Sequence, residues 1–310
     1  MLFKKPKFWD EKKVNLISFF LLPFTIVIYF SNIIKNFYKE KKFNIKTICV
    51  GNIYLGGTGK TPLSIEIFNI LKKLKFKVVF IKKFHSNFKD ELRLLSKIGP
   101  VISLSSRQKS LEIAESKKYD FAIIDDGLQD KTINYDLKIV CFDKENFIGN
   151  GKLIPAGPLR EGLSNIKNFD VVFLNGPNKC KKEIKFLLKR INNNIKIFET
   201  NPKILKNTKI NRQNNYLIFS GIGNPQNFEF LLRKNKFKIL KKFEFPDHYD
   251  FNDKEIKEIK YTAKKNKLKI LTTEKDFLRL KKNQKKNIQK ICIKLKIDDS
   301  KKFVKILKRI

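Results

Sequence analysis

The stretch Gly51-Asn52-Ile53-Tyr54-Leu55-Gly56-Gly57-Thr58-Gly59-Lys60-Thr61-Pro62 decides the reading of this chain of 310 residues. It completes an apolar strand, Lys46 to Asn52, and leads into a segment, Pro62 to Leu74, in which Leu63, Ile67, Ile70, Leu71 and Leu74 share one helical face. A strand, a glycine loop and then Lys-Thr at a helix start form the arrangement that phosphate binding requires. Small residues let backbone N–H groups close around phosphate oxygens, and the helix N-terminus adds a favourable field. Lys60 supplies a positive charge to the outer phosphates, and the Thr61 hydroxyl can ligate Mg2+. Tyr54 stands where the usual pattern has glycine, five residues before Gly59. An ordinary glycine-rich turn is the alternative, and the flanking strand and helix argue against it. Tyr54, Leu55, Gly56, Gly57, Thr58, Gly59, Lys60 and Thr61 are therefore the expected nucleotide contacts, with ATP as the expected ligand.

Outward from this loop, the short apolar runs Val78 to Ile81, Phe121 to Ile124, Leu137 to Phe142 and Val171 to Leu174 alternate with helical stretches. That alternation predicts an α/β fold, a mostly parallel sheet with helices on both faces. The Phe121 strand runs into Asp125-Asp126-Gly127. Such a turn alone is often no more than a turn, but beside a phosphate loop it is the natural place for a carboxylate that holds Mg2+. Gly149 to Glu161 is dense in glycine and proline and ends in Arg160-Glu161. It reads either as a rigid surface loop or as a functional one, with Glu161 near the metal and Arg160 on phosphate oxygens. A second unit opens at Tyr216-Leu217-Ile218-Phe219-Ser220-Gly221-Ile222-Gly223, again a strand into a glycine turn, with a helix over Phe228 to Leu232. The polar stretch Asn201 to Asn215 separates the two units. The predicted organisation is an N-terminal membrane-associating segment over 1–42, a P-loop kinase domain over 43–205 and a smaller α/β domain over 206–310.

Val14 to Ile34 is an apolar run long enough to span a bilayer. Pro23 interrupts it, and Asn15, Ser18, Thr25, Tyr29 and Asn32 fall on one stripe at helical spacing. Lysines flank both ends, so charge assigns no orientation, and no small-residue cleavage site follows. A buried core helix is the alternative; a membrane anchor, spanning or lying in the interface, is the expectation. The net charge of +38 suggests a polyanionic partner, but only 8 of the 68 basic residues are Arg and the lysines are spread along the whole chain. No nucleic-acid motif accompanies them. An anionic membrane surface or an anionic substrate accounts for the charge, and no nucleic-acid partner is expected. Cys49, Cys141, Cys180 and Cys292 are far apart without a C-x-x-C pair, which reads as free thiols rather than a zinc site.

The Gly51 to Pro62 run resembles the P-loop of the tetraacyldisaccharide 4'-kinases, the lipid A 4'-kinases of Gram-negative bacteria, whose loops also lack the first glycine. The resemblance continues in order through Asp90-Glu91, Asp125-Asp126-Gly127-Leu128-Gln129, Leu153 to Glu161, Gly221-Ile222-Gly223-Asn224-Pro225, Phe245-Pro246-Asp247-His248 and Thr272-Thr273-Glu274-Lys275-Asp276. It implies transfer of the ATP γ-phosphate to the 4'-hydroxyl of an anionic glycolipid, tetraacyldisaccharide 1-phosphate, giving lipid IVA at the cytoplasmic face of the inner membrane. It also implies roles. Asp90 matches the catalytic aspartate that takes the hydroxyl proton, and His248 matches the histidine paired with it. Thr61, Asp125, Asp126 and Glu161 match the magnesium site, with Glu91, Arg107 and Arg160 in support. The chain departs from the family at Lys82-Lys83-Phe84-His85, where an Arg-Gly-Tyr-Gly loop is usual, and at Leu92, Leu128 and Asp130. A soluble P-loop kinase or ligase acting on a small metabolite is the alternative to a lipid kinase, and a nucleic-acid-dependent ATPase is a third reading.

Overall fold

The computed structural model describes residues 5–11, 15–35, 37–84, 89–205 and 210–310. Val14 and His85, named above, lie outside them, as do residues 206–209 at the expected domain junction. Helices α1 (Leu16–Leu21) and α2 (Thr25–Lys35) are joined by a 3-10 turn that contains Pro23. There follow β1 (Lys46–Gly51), α3 (Lys60–Lys73), β2 (Val78–Ile81), α4 (Lys89–Ser96), β3 (Val101–Ile102), α5 (Arg107–Ser116), β4 (Phe121–Asp125), β5 (Leu137–Asp143), β6 (Val171–Asn175), α6 (Lys182–Ile191) and β7 (Lys196–Ile204). The rest comprises β8 (Asn215–Ser220), α7 (Pro225–Lys234), β9 (Lys238–Glu244), α8 (Asp253–Lys265), β10 (Lys269–Thr273), α9 (Glu274–Arg279), β11 (Ile288–Ile291), β12 (Ile293–Ile297) and α10 (Ser300–Leu307).

Two sheets carry the fold. The larger runs β12-β7-β6-β5-β1-β4-β2-β3 and is parallel except for β12, which pairs antiparallel with β7. The smaller, β11-β10-β8-β9, is parallel throughout. Each sheet is buried on both faces, as parallel sheets require. In β1, Ile48 and Val50 pack with Leu63 and Ile67 of α3, while Cys49 faces the side of Leu111 on α5 and Leu188 on α6. In the smaller sheet, Ile256 and Ile259 of α8 cover one face, and Phe228 and Leu232 of α7 the other. The chain leaves β1 with β4 on one side and β5 on the other, so the glycine loop sits at the point where strand order reverses, where α/β sheets open a crevice.

The expected 206–310 unit does not coincide with the smaller sheet. After β11 the chain crosses over, and β12 and α10 join the larger domain, burying Leu295, Ile297, Phe303 and Leu307 there. Phe303 meets Phe173 edge-on at 5.0 Å. The alternating Ile293-Lys294-Leu295-Lys296-Ile297 announces a half-buried strand but not which sheet receives it. For the same reason Asn201–Ile204 are not linker: they pair with β12 as the end of β7.

The N-terminal helices are not core helices. Leu16, Phe20 and Val27 are 76%, 71% and 69% exposed. Their polar stripe docks in part: Ser18 Oγ donates to the Ala156 carbonyl at 2.7 Å, and Asn32 Nδ2 to the Arg160 carbonyl at 2.9 Å. Tyr29 of the same stripe stays exposed. Ahead of the helices, Trp9 is buried, with its indole N–H on the Pro155 carbonyl.

Candidate active site

The glycine loop closes between two layers. Gly56 and Gly59 have φ of 138° and 81°, conformations that favour glycine. A Cβ on Gly59 would meet Asn175, whose amide donates to the Thr58 carbonyl at 2.6 Å. α3 begins at Lys60, so its first amides have no intrahelical acceptors. Lys60 Nζ reaches Asn52 Oδ1 at 3.1 Å and Asp126 Oδ1 at 3.7 Å. The Thr58 hydroxyl is buried and, among the described residues, without a hydrogen-bond partner. Tyr54 and Leu55, at the start of the loop, are held by residues outside it. The Leu55 amide is taken by the Pro158 carbonyl at 2.8 Å. The Tyr54 ring lies under Gly56, and its hydroxyl meets Lys5 and Asp10. Both residues thus anchor the loop from below.

Four expected metal-site residues lie close by, in two environments. Asp125 is fully buried at the end of β4: it accepts from Thr61 Oγ1 and Ser64 Oγ, both at 3.1 Å, and pairs with Lys82 Nζ at 2.6 Å. Asp126, at φ 61°, projects beside Lys60 and accepts from Arg160 Nη1 at 3.2 Å. Burial alone would raise its pKa, but the charges of Lys60 and Arg160 outweigh it and hold the carboxyl at about 2. Glu161 is buried and receives Gln129 Nε2 at 2.9 Å and Asn165 Nδ2 at 2.6 Å. Gln129 also accepts from Arg160 at 3.3 Å, which ties Glu161 to Asp126. Arg107 donates to the Asp126 carbonyl at 2.6 Å and pairs with Asp130 at 3.1 Å.

The second cluster spans both domains. Asp90 and Glu91 stand in the first turn of α4, and the smaller domain brings His248, Lys275 and Arg279 against them. His248 Nδ1 lies 3.3 Å from Asp90 Oδ1, and Arg279 Nη2 donates to Asp90 Oδ2 at 2.7 Å. Lys275 Nζ is 3.1 Å from His248 Nε2 and 3.1 Å from Glu91 Oε1. An ammonium can only donate, so a hydrogen bond between Lys275 and His248 takes Nε2 as the acceptor and leaves Nδ1 to face Asp90. Burial would push Asp90 up; the His248 hydrogen bond and the Lys275 and Arg279 charges prevail and hold it well below the usual carboxylate range. The glycine turns of the two domains also touch: a Cβ on Gly223 would lie 2.3 Å from the Gly57 amide nitrogen. The two domains therefore meet at backbone contact beside the P-loop.

A family model described as tetraacyldisaccharide-1-P 4'-kinase matches residues 17–310. The chain belongs to that family. It is 48% identical over 301 residues to the tetraacyldisaccharide 4'-kinase of Pelagibacter ubique, covering 97% of this chain and 96% of the relative. It is 32% identical over 293 residues to that of Rickettsia bellii, covering 89% of each. The fold matches the crystal structure of LpxK from Aquifex aeolicus in complex with ATP, with TM-score 0.70 at 24% identity, over 95% of this chain and 99% of that one. Membership in the tetraacyldisaccharide 4'-kinase family makes this chain a kinase, and each expected site residue can be compared with its place. The P-loop, Asp125, Asp126, Arg160 and Glu161 form one cluster and Asp90, Glu91 and His248 a second, and the two adjoin where Lys82 touches both Asp125 and Glu91. Sequence reading assigned no role to Asn52, Lys82, Gln129, Lys275 or Arg279. Asn52, Gln129 and Lys275 lie inside quoted motifs, and Lys82 opens the segment that stands in place of the family's Arg-Gly-Tyr-Gly loop, which were usable signals; Arg279 is a single cation in a basic chain and carries none.

Proposed function

We propose that this protein moves the γ-phosphoryl group of ATP onto the 4'-hydroxyl of tetraacyldisaccharide 1-phosphate, giving lipid IVA and ADP at the cytoplasmic face of the inner membrane. The observation that carries this reading is the facing of two half-sites: a P-loop on one domain and an Asp90–His248 pair completed by the other.

In this reading the ATP phosphates lie along the loop, where the orphaned Thr58 hydroxyl and the α3 amides gain acceptors. Lys60 leaves Asp126 for the outer phosphates and neutralises the charge that gathers there in the transition state. Arg160 serves the same charge. The acceptor's 4'-oxygen bonds to the γ-phosphorus as the bond to the ADP oxygen breaks, and the hydroxyl proton passes to Asp90. Asp90 is a weak base, which suits a loose transition state in which that proton leaves late. His248 keeps the carboxylate aimed, and Lys275 keeps the His248 proton on Nδ1.

The oxygens of Asp126 and Thr61 suit Mg2+, which takes one or two carboxylates together with substrate phosphates. Asp126 is the partly exposed carboxylate at the cleft, whereas Asp125 and Glu161 are buried behind it. The role expected for all four residues thus divides into two that hold the ion and two that orient the holders. Mg2+ would supply charge neutralisation between the phosphates.

The exposed apolar face of α1 and α2 enters the lipid surface, and the docked polar stripe keeps that surface beside the loop bearing Arg160. Purified protein with radiolabelled ATP, Mg2+ and the disaccharide 1-phosphate in mixed micelles should yield labelled lipid IVA. No labelled product, under conditions where a control kinase of the family works, would overturn the proposal. Transfer to water-soluble acceptors after removal of residues 1–40 would favour the small-metabolite reading.

A further inference from the structure

Lys82 follows β2 and is turned inward, while Lys83 and Phe84 after it are exposed. Its backbone amide donates to the Ile102 carbonyl at 3.2 Å, which holds it as an extension of the sheet. The residue is 5% exposed. Its ammonium lies 2.6 Å from Asp125 Oδ2 and 2.6 Å from Glu91 Oε2. Those two carboxylates belong to different halves of the site. Asp125 receives Thr61 and Ser64 from the start of α3. Glu91 neighbours Asp90, and its other oxygen takes Lys275 from the smaller domain.

We infer that Lys82 is a positioning residue for the transfer reaction, holding the nucleotide half and the acceptor half of the site in one register through Asp125 and Glu91. The inference rests on the kinase reading above and adds a residue to it. A continuous path runs Thr61–Asp125–Lys82–Glu91–Lys275–His248–Asp90, each link a contact between groups on strand ends, helix starts or the His248 turn. Burial disfavours the ammonium, but Asp125 and Glu91 outweigh that and keep it charged. A lysine that only neutralised its two carboxylates would be replaced by an apolar chain of similar volume at a cost in stability but with none in the rate of the folded enzyme. Replacing one that sets the distance between phosphorus and acceptor oxygen would cost rate as well, because misplacement by about 1 Å costs on the order of 100-fold in rate.

The test compares Lys82→Met, Lys82→Arg, Glu91→Gln and the Lys82→Met/Glu91→Gln double variant with the wild-type enzyme. Transfer kinetics, ATP affinity and thermal unfolding are measured for each. The expectation for Lys82→Met is a loss of about 100-fold in kcat with ATP affinity within about threefold of wild type. Lys82→Arg recovers about tenfold or more of that loss, and the double variant loses no more than Lys82→Met alone, because both act on one path. Wild-type kcat in Lys82→Met, equal losses of ATP affinity and kcat, or losses that multiply in the double variant would each overturn the inference. If Lys82→Met does not fold, Glu91→Gln decides: a loss confined to kcat supports the path, and unchanged kcat contradicts it. A wild-type protein that transfers nothing refutes the kinase reading instead, so the two failures are distinguishable.

Discussion

The two halves of the cleft are built on different principles. The nucleotide half is local: loop, helix start and Asn52 come from one run of sequence, and much of the binding surface is backbone. The acceptor half is assembled from side chains alone, with Asp90 meeting His248 across 158 positions and Arg279 across 189. A phosphate needs donors in an arc, which glycine and a helix N-terminus provide without side chains. A hydroxyl that must lose its proton needs one oriented base, and orienting a carboxylate takes charged partners from several directions. The second half therefore depends on two domains meeting correctly.

Substitutions can test this contrast. Lys60→Ala should have the largest effect, reducing transfer by about 1,000-fold and weakening ATP binding as well, because both ground state and transition state use its charge. Equilibrium nucleotide binding alongside single-turnover transfer checks this. Gly223→Ala should cost about 100-fold in transfer, since its Cβ would strike the Gly57 backbone and displace the two domains where they meet. Near-wild-type transfer in this variant would mean that the closed contact is not part of the reacting state. Arg279→Ala should destabilise the protein by about 3–5 kcal/mol, measured by denaturant unfolding, because it leaves Asp90 and Asp276 buried without their shared cation. The smallest effect is one of pH. The folded-state pKa of Asp90 is lowered, so its stabilising share is fully present above the unfolded carboxylate value near 4 and is lost as pH falls below it. The stability gap between wild type and Asp90→Asn should therefore be constant from about pH 6 to 8 and shrink between about pH 4 and pH 2.

The same contrast explains what the sequence disclosed. β1, the P-loop, α3 and the strand into Asp125-Asp126 were legible because residue type, spacing and local structure coincide there. Asp90 and His248 were legible only through the family resemblance; by themselves they are a charge at a helix start and one of two histidines. Arg279 was not legible, and Lys82 and Lys275 were legible only as members of quoted segments, since nothing local tells which of 68 basic residues turn inward. The return of β12 to the larger sheet was hidden for a related reason: its alternating pattern specifies a buried face and not a partner. The pairing of the Leu55 amide with the Pro158 carbonyl, 103 positions away, was not legible either, because nothing in the loop sequence names that partner.

The central claim is that Asp90 performs the acceptor chemistry while the P-loop binds nucleotide independently of it. Asp90→Ala, assayed in one preparation for ATP affinity and for phosphoryl transfer to tetraacyldisaccharide 1-phosphate, tests this most directly. The account predicts ATP affinity within about threefold of wild type and transfer reduced by at least about 100-fold. Transfer at the wild-type rate would contradict it.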